Sequence, residues 1–433
     1  MSGGVGASVY AGGFGLGFAR MTEIEPSSEG VESRFAVFRE APFRWFATSR
    51  LVSATAMTLV SATVGWHAYD LSQSPGQLGL LGLIRFAPQL LLSLPAGAIA
   101  DVFERRRLIQ LAQLLSMLSS LSLCAITLSG MATLPALYAA VALAAAASVI
   151  EQPARASLLP QLVSRARFPR AVTLMSTLLF LGFSTGPVLA GFTMGKGGIA
   201  AAYGLHSVLV AVSIFSLAKL PPLAAATSSA RVTASAIVEG LQYVFRNKIV
   251  LGCMTLDMFA VILGGATALL PVFARDILKV GESGYGLLSG SLEMGALVMS
   301  GVLVFLPSFR RAGQTLLWAV VAFGLATIAF GLSRSFPISV ASYMLVGMAD
   351  AVSVVLRSTA IQLSTPDELR GRVSSVNFIF IGASNNLGAA ESGFLAELTS
   401  ATFAVVFGGI GCLVVAALVA WRNPELRSYR LND

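Results

Sequence analysis

Charge is scarce in this sequence: only 12% of its 433 residues are Asp, Glu, Lys or Arg, about half the share found in soluble globular chains. Histidine and cysteine are scarcer still, at two and three residues. His67 and His206 stand too far apart to suggest a metal site, and Cys124, Cys253 and Cys412 all fall inside apolar runs. No CxxC pair and no disulfide framework is present, so no metal or cofactor is expected. HExxH is missing, the one GxSxG match, Gly182 to Gly186, lies inside an apolar run and makes no nucleophile elbow, and the nearest approach to a phosphate loop, Gly191 to Lys196, lacks the P-loop spacing. These absences argue against a membrane enzyme and against ATP-driven work by this chain alone. The net charge of +8 comes without a basic face interleaved with aromatics, which excludes nucleic acid as a partner.

What the chain has instead is apolar length. Hydrophobic residues make up 55% of it, and they come in runs of about twenty, enough to cross roughly 30 Å of hydrocarbon at about 1.5 Å per residue. The expected fold class is an all-α membrane protein. Twelve spans are predicted at 45–70, 78–101, 107–129, 134–154, 170–195, 199–219, 248–275, 284–306, 314–333, 337–358, 371–396 and 400–421. They form two six-helix bundles, 45–219 and 248–421, joined by a linker at 220–247 that holds Pro221, Pro222 and a Thr-Ser-Ser run. Residues 1–44 are Gly-rich without a basic n-region and read as a tail rather than a cleaved signal, with Met21 as an alternative start. A second tail covers 422–433.

The cations orient this chain. Placing both termini in the cytoplasm puts 23 of the 29 lysines and arginines on that side and four on the other, with Arg50 and Arg85 inside spans. An internal repeat supports the two bundles. A shift of 202 residues brings Arg155 onto Arg357, Arg170 onto Arg372, Gly186 onto Gly388, Gly191 onto Gly393 and Phe192 onto Phe394. Duplications of this kind form a substrate site between halves that rock against each other.

Two motifs stand out. The second span ends in Gly97, Asp101, Arg105 and Arg106: small residues for close packing, then an acid four residues ahead of a base. Helix 5 carries Gly182, Gly186, Pro187 and Gly191. Its GxxxG face allows backbone contact, and the proline removes one ladder hydrogen bond and bends the helix. Positive-inside loops and ordinary packing kinks account for part of each pattern. The first motif resembles the G-x-x-x-D-x-x-x-R-[RK] signature of the major facilitator superfamily, with Glu104 where a small residue is usual. The second resembles that superfamily's antiporter signature, with Ala190 replacing a glycine. Further stretches at 153–160, 239–247 and 366–373 resemble its branch of siderophore and macrolide exporters; the second of these is expected to be an amphipathic interfacial helix. The resemblance implies that Asp101 and Arg105 form a charge network against the start of helix 11 that holds an outward-facing state. The second-half copy keeps Arg310 and Arg311 but has Phe305 in place of the acid, so only the first copy is expected to work as a gate.

Ionisable residues inside spans cost at least about 2.5–3.5 kcal/mol at a helix centre, so they face a cavity or a partner. Arg50 and Arg85 lie in the first half, Asp257, Glu293 and Asp350 in the second, which predicts a cavity with one basic and one acidic wall. Glu293 is nearest the midplane and is the first choice for a proton carrier. Burial favours a protonated carboxyl and a nearby arginine an ionised one, so rocking halves can load and release a proton. Competing readings stand beside these. Arg50 either lines the cavity or snorkels to the cytoplasmic interface, Asp350 has Arg357 two turns away as a structural partner, and Glu151 and Glu391 sit near span ends. The fourth span carries no charge until Glu151, unlike many drug–proton antiporters, so proton coupling follows from the resemblance alone.

The expected function is a monomeric secondary transporter in the plasma (inner) membrane, exchanging protons for export of a small amphipathic molecule by alternating access. The alternatives are an importer or lipid flippase on the same fold, or a membrane ligand sensor that transports nothing.

Overall fold

A computed structural model describes residues 40–164, 167–221, 234–306 and 309–430, and within them the side chains of all but 93–102 and 234–237. Most of the N-terminal tail, Met21 included, lies outside these residues, as does much of the linker. The described residues contain helices and no strand. In chain order they are α1 (Ala41–Ser72), α2 (Pro75–Val102), α3 (Arg105–Leu128), α4 (Leu134–Ala156), the single turn α5 (Leu159–Leu162), α6 (Phe168–Ala218), α7 (Ala234–Arg246) and α8 (Lys248–Leu263). A 3-10 turn (Ala266–Leu269), α9 (Leu270–Val272) and a π turn (Phe273–Ile277) continue the line of α8. Then follow α10 (Gly281–Phe305), α11 (Ala312–Leu332), α12 (Phe336–Leu363), α13 (Asp367–Leu398), α14 (Ala401–Arg422) and the short α15 (Pro424–Ser428).

Local chemistry sets the boundaries. Proline occupies the first turn of α1, α4, α6 and α12, where its missing N–H has no intrahelical partner to lose. Asn247 starts α8 by accepting hydrogen bonds from the N–H groups of Ile249 and Val250, both at 3.1 Å, and Ser400 starts α14 through the Phe403 N–H at 3.2 Å. The segments expected at 170–195 and 199–219 run together as α6, broken only at Gly198, whose φ of 75° and ψ of 175° suit glycine. The span expected at 248–275 corresponds to Lys248–Ile277, but it is not one unbroken helix. Helix α8 stops at Leu263 and the chain passes Gly264 and Gly265 before tighter and wider turns resume. Hydropathy reports the apolar run and is blind to this break.

Among the described residues, eight helical segments are long and apolar enough to cross a membrane, and the protein is a multi-pass membrane protein. The long helices α1 and α13 fall outside that set. In α1, hydroxyls dilute the apolar character and turn inward: Thr55, Thr58 and Thr63 donate to the carbonyls of Leu51, Ala54 and Leu59. In α13 the polar residues include Ser384, Asn385, Asn386 and Ser392.

The two ends of the molecule are built differently. Chain direction puts the start of α1 and the end of α14 at one end, here the termini end. At the opposite, far end one continuous core gathers Leu59, Trp66, Tyr69 and Leu78 from the first half of the chain with Leu269, Phe273, Tyr285 and Phe330 from the second. At the termini end the core divides. Phe43, Phe46, Ile109, Leu158 and Leu217 pack within the first half, and Val250, Leu256, Leu316, Leu356 and Val373 within the second. The broadest contacts between halves are α6 on α10 and α2 on α13.

Candidate functional site

Glycines make those crossings possible. A methyl group on Gly191 of α6 would stand 2.7 Å from the Gly286 Cα of α10, and one on Gly393 of α13 would stand 2.5 Å from the Gly79 Cα of α2. Gly191 and Gly393 are partners in the 202-residue repeat, and each brings its helix against the other half of the chain. Gly186 and Gly388, the next repeat partners, act within a half. A methyl on Gly186 would meet the Thr55 carbonyl of α1 at 2.5 Å, and one on Gly388 the Val261 carbonyl of α8 at 2.6 Å. Gly182 adds to the first contact, 2.7 Å from Ala54 Cβ on the same measure. The backbone of α6 stays helical through Pro187.

The loop motif after α2 is only partly in view, because the side chains of Gly97 and Asp101 lie outside the described residues. Arg105 is buried and donates to the Ser157 carbonyl at 3.2 Å. Arg106 donates to the Leu220 carbonyl at 2.6 Å and Arg107 pairs with Glu104 at 2.7 Å. None of these partners belongs to the second half. The second-half position Phe305 is exposed.

Among the intramembrane charges, the structure separates a paired acid from unpaired ones. Asp257 on α8 forms an ion pair with the buried guanidinium of Arg357 on α12. The competing reading that paired Asp350 with Arg357 does not hold, because Arg357 is taken by Asp257. Two turns along one helix put those two groups about 10 Å apart, whereas α8 packs directly on α12. Asp350 instead lies within electrostatic reach of Glu293 on α10. Both are half-buried, and neither forms an ion pair among the described residues. Glu293 sits about 18 Å along α10 from its start.

A line of polar groups leads from this acid pair to the first half. The Tyr343 hydroxyl is within electrostatic reach of Glu293 and hydrogen-bonds Thr267 Oγ1 at 2.7 Å. Tyr285 neighbours Tyr343 and donates to the Ala62 carbonyl of α1 at 3.0 Å. Arg85 on α2, half-buried and without an ion pair among the described residues, lies within reach of Tyr285. Arg50 occupies a separate place, close to Arg155 and Glu151. Glu151 is not merely interfacial. It pairs with Arg155, accepting from its Nε at 3.0 Å, and accepts from Gln113 Nε2 at 3.1 Å. Among the described residues, Glu391 accepts only from its neighbour Ser392, at 3.2 Å.

The far end is closed by polar contacts that the sequence reading missed. Asp70 on α1 pairs with Arg275 at 2.6 Å, and Tyr69 donates to Asp276. Glu397 at the end of α13 accepts from the Ser74 hydroxyl at 2.8 Å and the Gly76 N–H at 2.9 Å, a carboxylate at the positive start of α2. Deeper between the same helices, Asn386 donates to Gln89 at 3.0 Å. Asp70–Arg275 is the one ion pair joining the halves among the described residues. The missed tyrosines carry a signal, since a hydroxyl within an apolar run asks for a partner. Charges at span ends carry none, because most such charges simply face water.

Three comparisons with known proteins bear on this architecture. Residues 32–431 match the family described as transmembrane secretion effector. Enterobactin exporter EntS from Shigella boydii serotype 18 is 24% identical over 388 residues, covering 90% of this chain and 93% of the exporter, and its counterpart from Escherichia coli O1:K1 gives the same figures. Among solved structures, a POT family transporter in complex with 5-aminolevulinic acid superposes with a TM-score of 0.69 at 12% identity, over 89% of this chain and 96% of the other. A bacterial homologue of the human lysosomal transporter Spinster, in an inward-facing and unoccupied conformation, superposes with a TM-score of 0.67 at 14% identity, over 91% and 98%.

Proposed function

The chain belongs to the transmembrane secretion effector family, transporters of the major facilitator type, and on that premise we propose that it is a proton-coupled exporter of a small amphipathic molecule. Its twelve spanning helices are α1 to α4, the two arms of α6 either side of Gly198, the interrupted α8 segment, and α10 to α14. They form two pseudo-symmetric six-helix bundles in the plasma (inner) membrane, working as a monomer with both termini in the cytoplasm. The termini end is then the cytoplasmic side. A divided core there and a shared core at the far end describe a carrier open to the cytoplasm, ready to load cargo for export. The curated relatives named as enterobactin exporters support export over import or lipid flipping.

The acid pair carries the coupling. Two carboxylates within reach of each other and without a cation repel when both are ionised, and share a proton when they are not. Asp257 is excluded from this role by Arg357, which leaves Glu293 as the carrier and Asp350 as the group that tunes it. Gly97, Asp101, Arg105 and Arg106 act as the cytoplasmic gate, engaging α13 only when the halves meet at that end. Gly182, Gly186, Pro187 and Gly191 form the packing spine on which α6 moves. Proteoliposomes under an imposed pH gradient, challenged with a panel of siderophores and drugs, test this reading. Substrate-dependent proton flux is expected in native protein and lost in Glu293→Gln. Coupled flux that survives intact in the variant removes Glu293 as the carrier. Flux without proton movement removes antiport, and no flux with any compound favours a sensor.

A further inference from the structure

The two halves treat their inner arginines unequally. In the second half Arg357 meets one carboxylate, Asp257, so one positive charge faces one negative charge. The repeat partner of Arg357 is Arg155, and in the first half Arg155 and Arg50 share a single carboxylate, Glu151. Arg155 is only 5% exposed, and its Nη1 finds no hydrogen-bond partner. Gln113 spends its amide N–H on Glu151, and its own Oε1 is also without a partner. Arg50 is half-buried and forms no ion pair among the described residues. The cluster thus holds one positive charge more than it balances, with an N–H donor left over.

Its position fits a ligand rather than a lipid. Arg50 lies about 14 Å along α1 from the termini end, one turn beyond Phe46 and Ala47 of the first-half core. The turns of α1 around it carry Thr48 and Ser53, with exposed Met57 beyond, a partly polar surface that suits water better than hydrocarbon. A guanidinium pair with one missing counter-charge selects a flat oxygen anion that accepts two parallel N–H bonds. We infer that Arg50 and Arg155 form a binding subsite for a carboxylate group of the exported molecule. This rests on the transport reading given above and specifies its cargo as anionic. Entry from the cytoplasm brings the anion to Arg50 first, while the acid pair on the opposite half stays free to hold its proton.

Equilibrium binding tests this without any gradient, so that its failure is separable from failure of proton coupling. Purified protein in neutral detergent is titrated with amphipathic aromatic carboxylates and the methyl esters of the same compounds, and thermal stabilisation is read. Native protein is expected to bind at least one acid about tenfold more tightly than its ester. Arg50→Gln should abolish that preference, Arg50→Lys should retain part of it, and Glu151→Gln should strengthen it by removing the competing carboxylate. Acids and esters that stabilise native protein equally, or a preference that survives Arg50→Gln, overturn the subsite. Stabilisation by phosphatidylglycerol but by no carboxylate, lost in Arg50→Gln, would assign the cluster to a lipid headgroup and overturn it too.

Discussion

The two ends of this molecule use different forces. At the far end the halves are joined by a shared apolar core, by glycine crossings and by a few polar contacts between α1, α2 and their opposite numbers. At the termini end each half closes on itself, with Phe43, Ile109 and Leu217 on one side and Val250, Leu316 and Leu356 on the other. The charges follow the same division. Ion pairs at the termini end, such as Arg167–Glu40 at 2.7 Å and Arg372–Glu239 at 2.5 Å, do not join one half to the other. In the proposed cycle, halves that separate at the termini end keep their ion pairs off the partner half, and the junction that opens again relies on an exposed pair. The difference is what a carrier needs if it exposes one end at a time.

Three variants test that division, in decreasing order of effect. Asp257→Ala leaves Arg357 buried without its counter-charge, and breaking such a pair costs about 3–5 kcal/mol. The expected outcome is a strongly lowered unfolding temperature, recovered by the double variant Asp257→Ala/Arg357→Leu. An unchanged unfolding temperature in the single variant would mean that the second half does not depend on its inner ion pair. Gly286→Leu forces a side chain against Gly191, where even a methyl group has no room, and overpacking costs about 1–3 kcal/mol. Transport should fall by about tenfold or more, and protease or thiol access from the far side should rise. The smallest effect belongs to Asp70→Asn. The Asp70–Arg275 pair is partly exposed and contributes about 0–1 kcal/mol, so the variant should fold normally and only modestly increase far-side access, an effect that high salt mimics in native protein.

Much of this architecture was legible in the sequence. Runs of apolar residues located most helices to within a few positions, because lipid imposes a fixed length. The repeat of Gly186 with Gly388 and of Gly191 with Gly393 pointed to real close contacts. What the pattern withheld was the identity of the partners: nothing in the sequence marks Gly79 and Gly286 as the surfaces that receive those glycines. The same holds for Arg357, whose partner Asp257 lies 100 residues away in sequence, while Asp350 on its own helix looked closer. The break at Gly264 and Gly265 was hidden because hydropathy does not register backbone angles. Glu293, by contrast, was singled out by the cost of burying charge, and the structure gives it Asp350 as a neighbour.

Spin-label distances across both ends decide whether the two junctions alternate. One label pair replaces Gln161 and Glu368 near the termini end, the other Met131 and Leu398 near the far end, with Cys124, Cys253 and Cys412 changed to alanine. Raising the pH ionises the acid pair and sets its carboxylates against each other, so the far-end distance should lengthen as the termini-end distance shortens, and Glu293→Gln should hold native-like distances at every pH. Distances that stay fixed, or that lengthen and shorten together, would contradict alternation between these two ends.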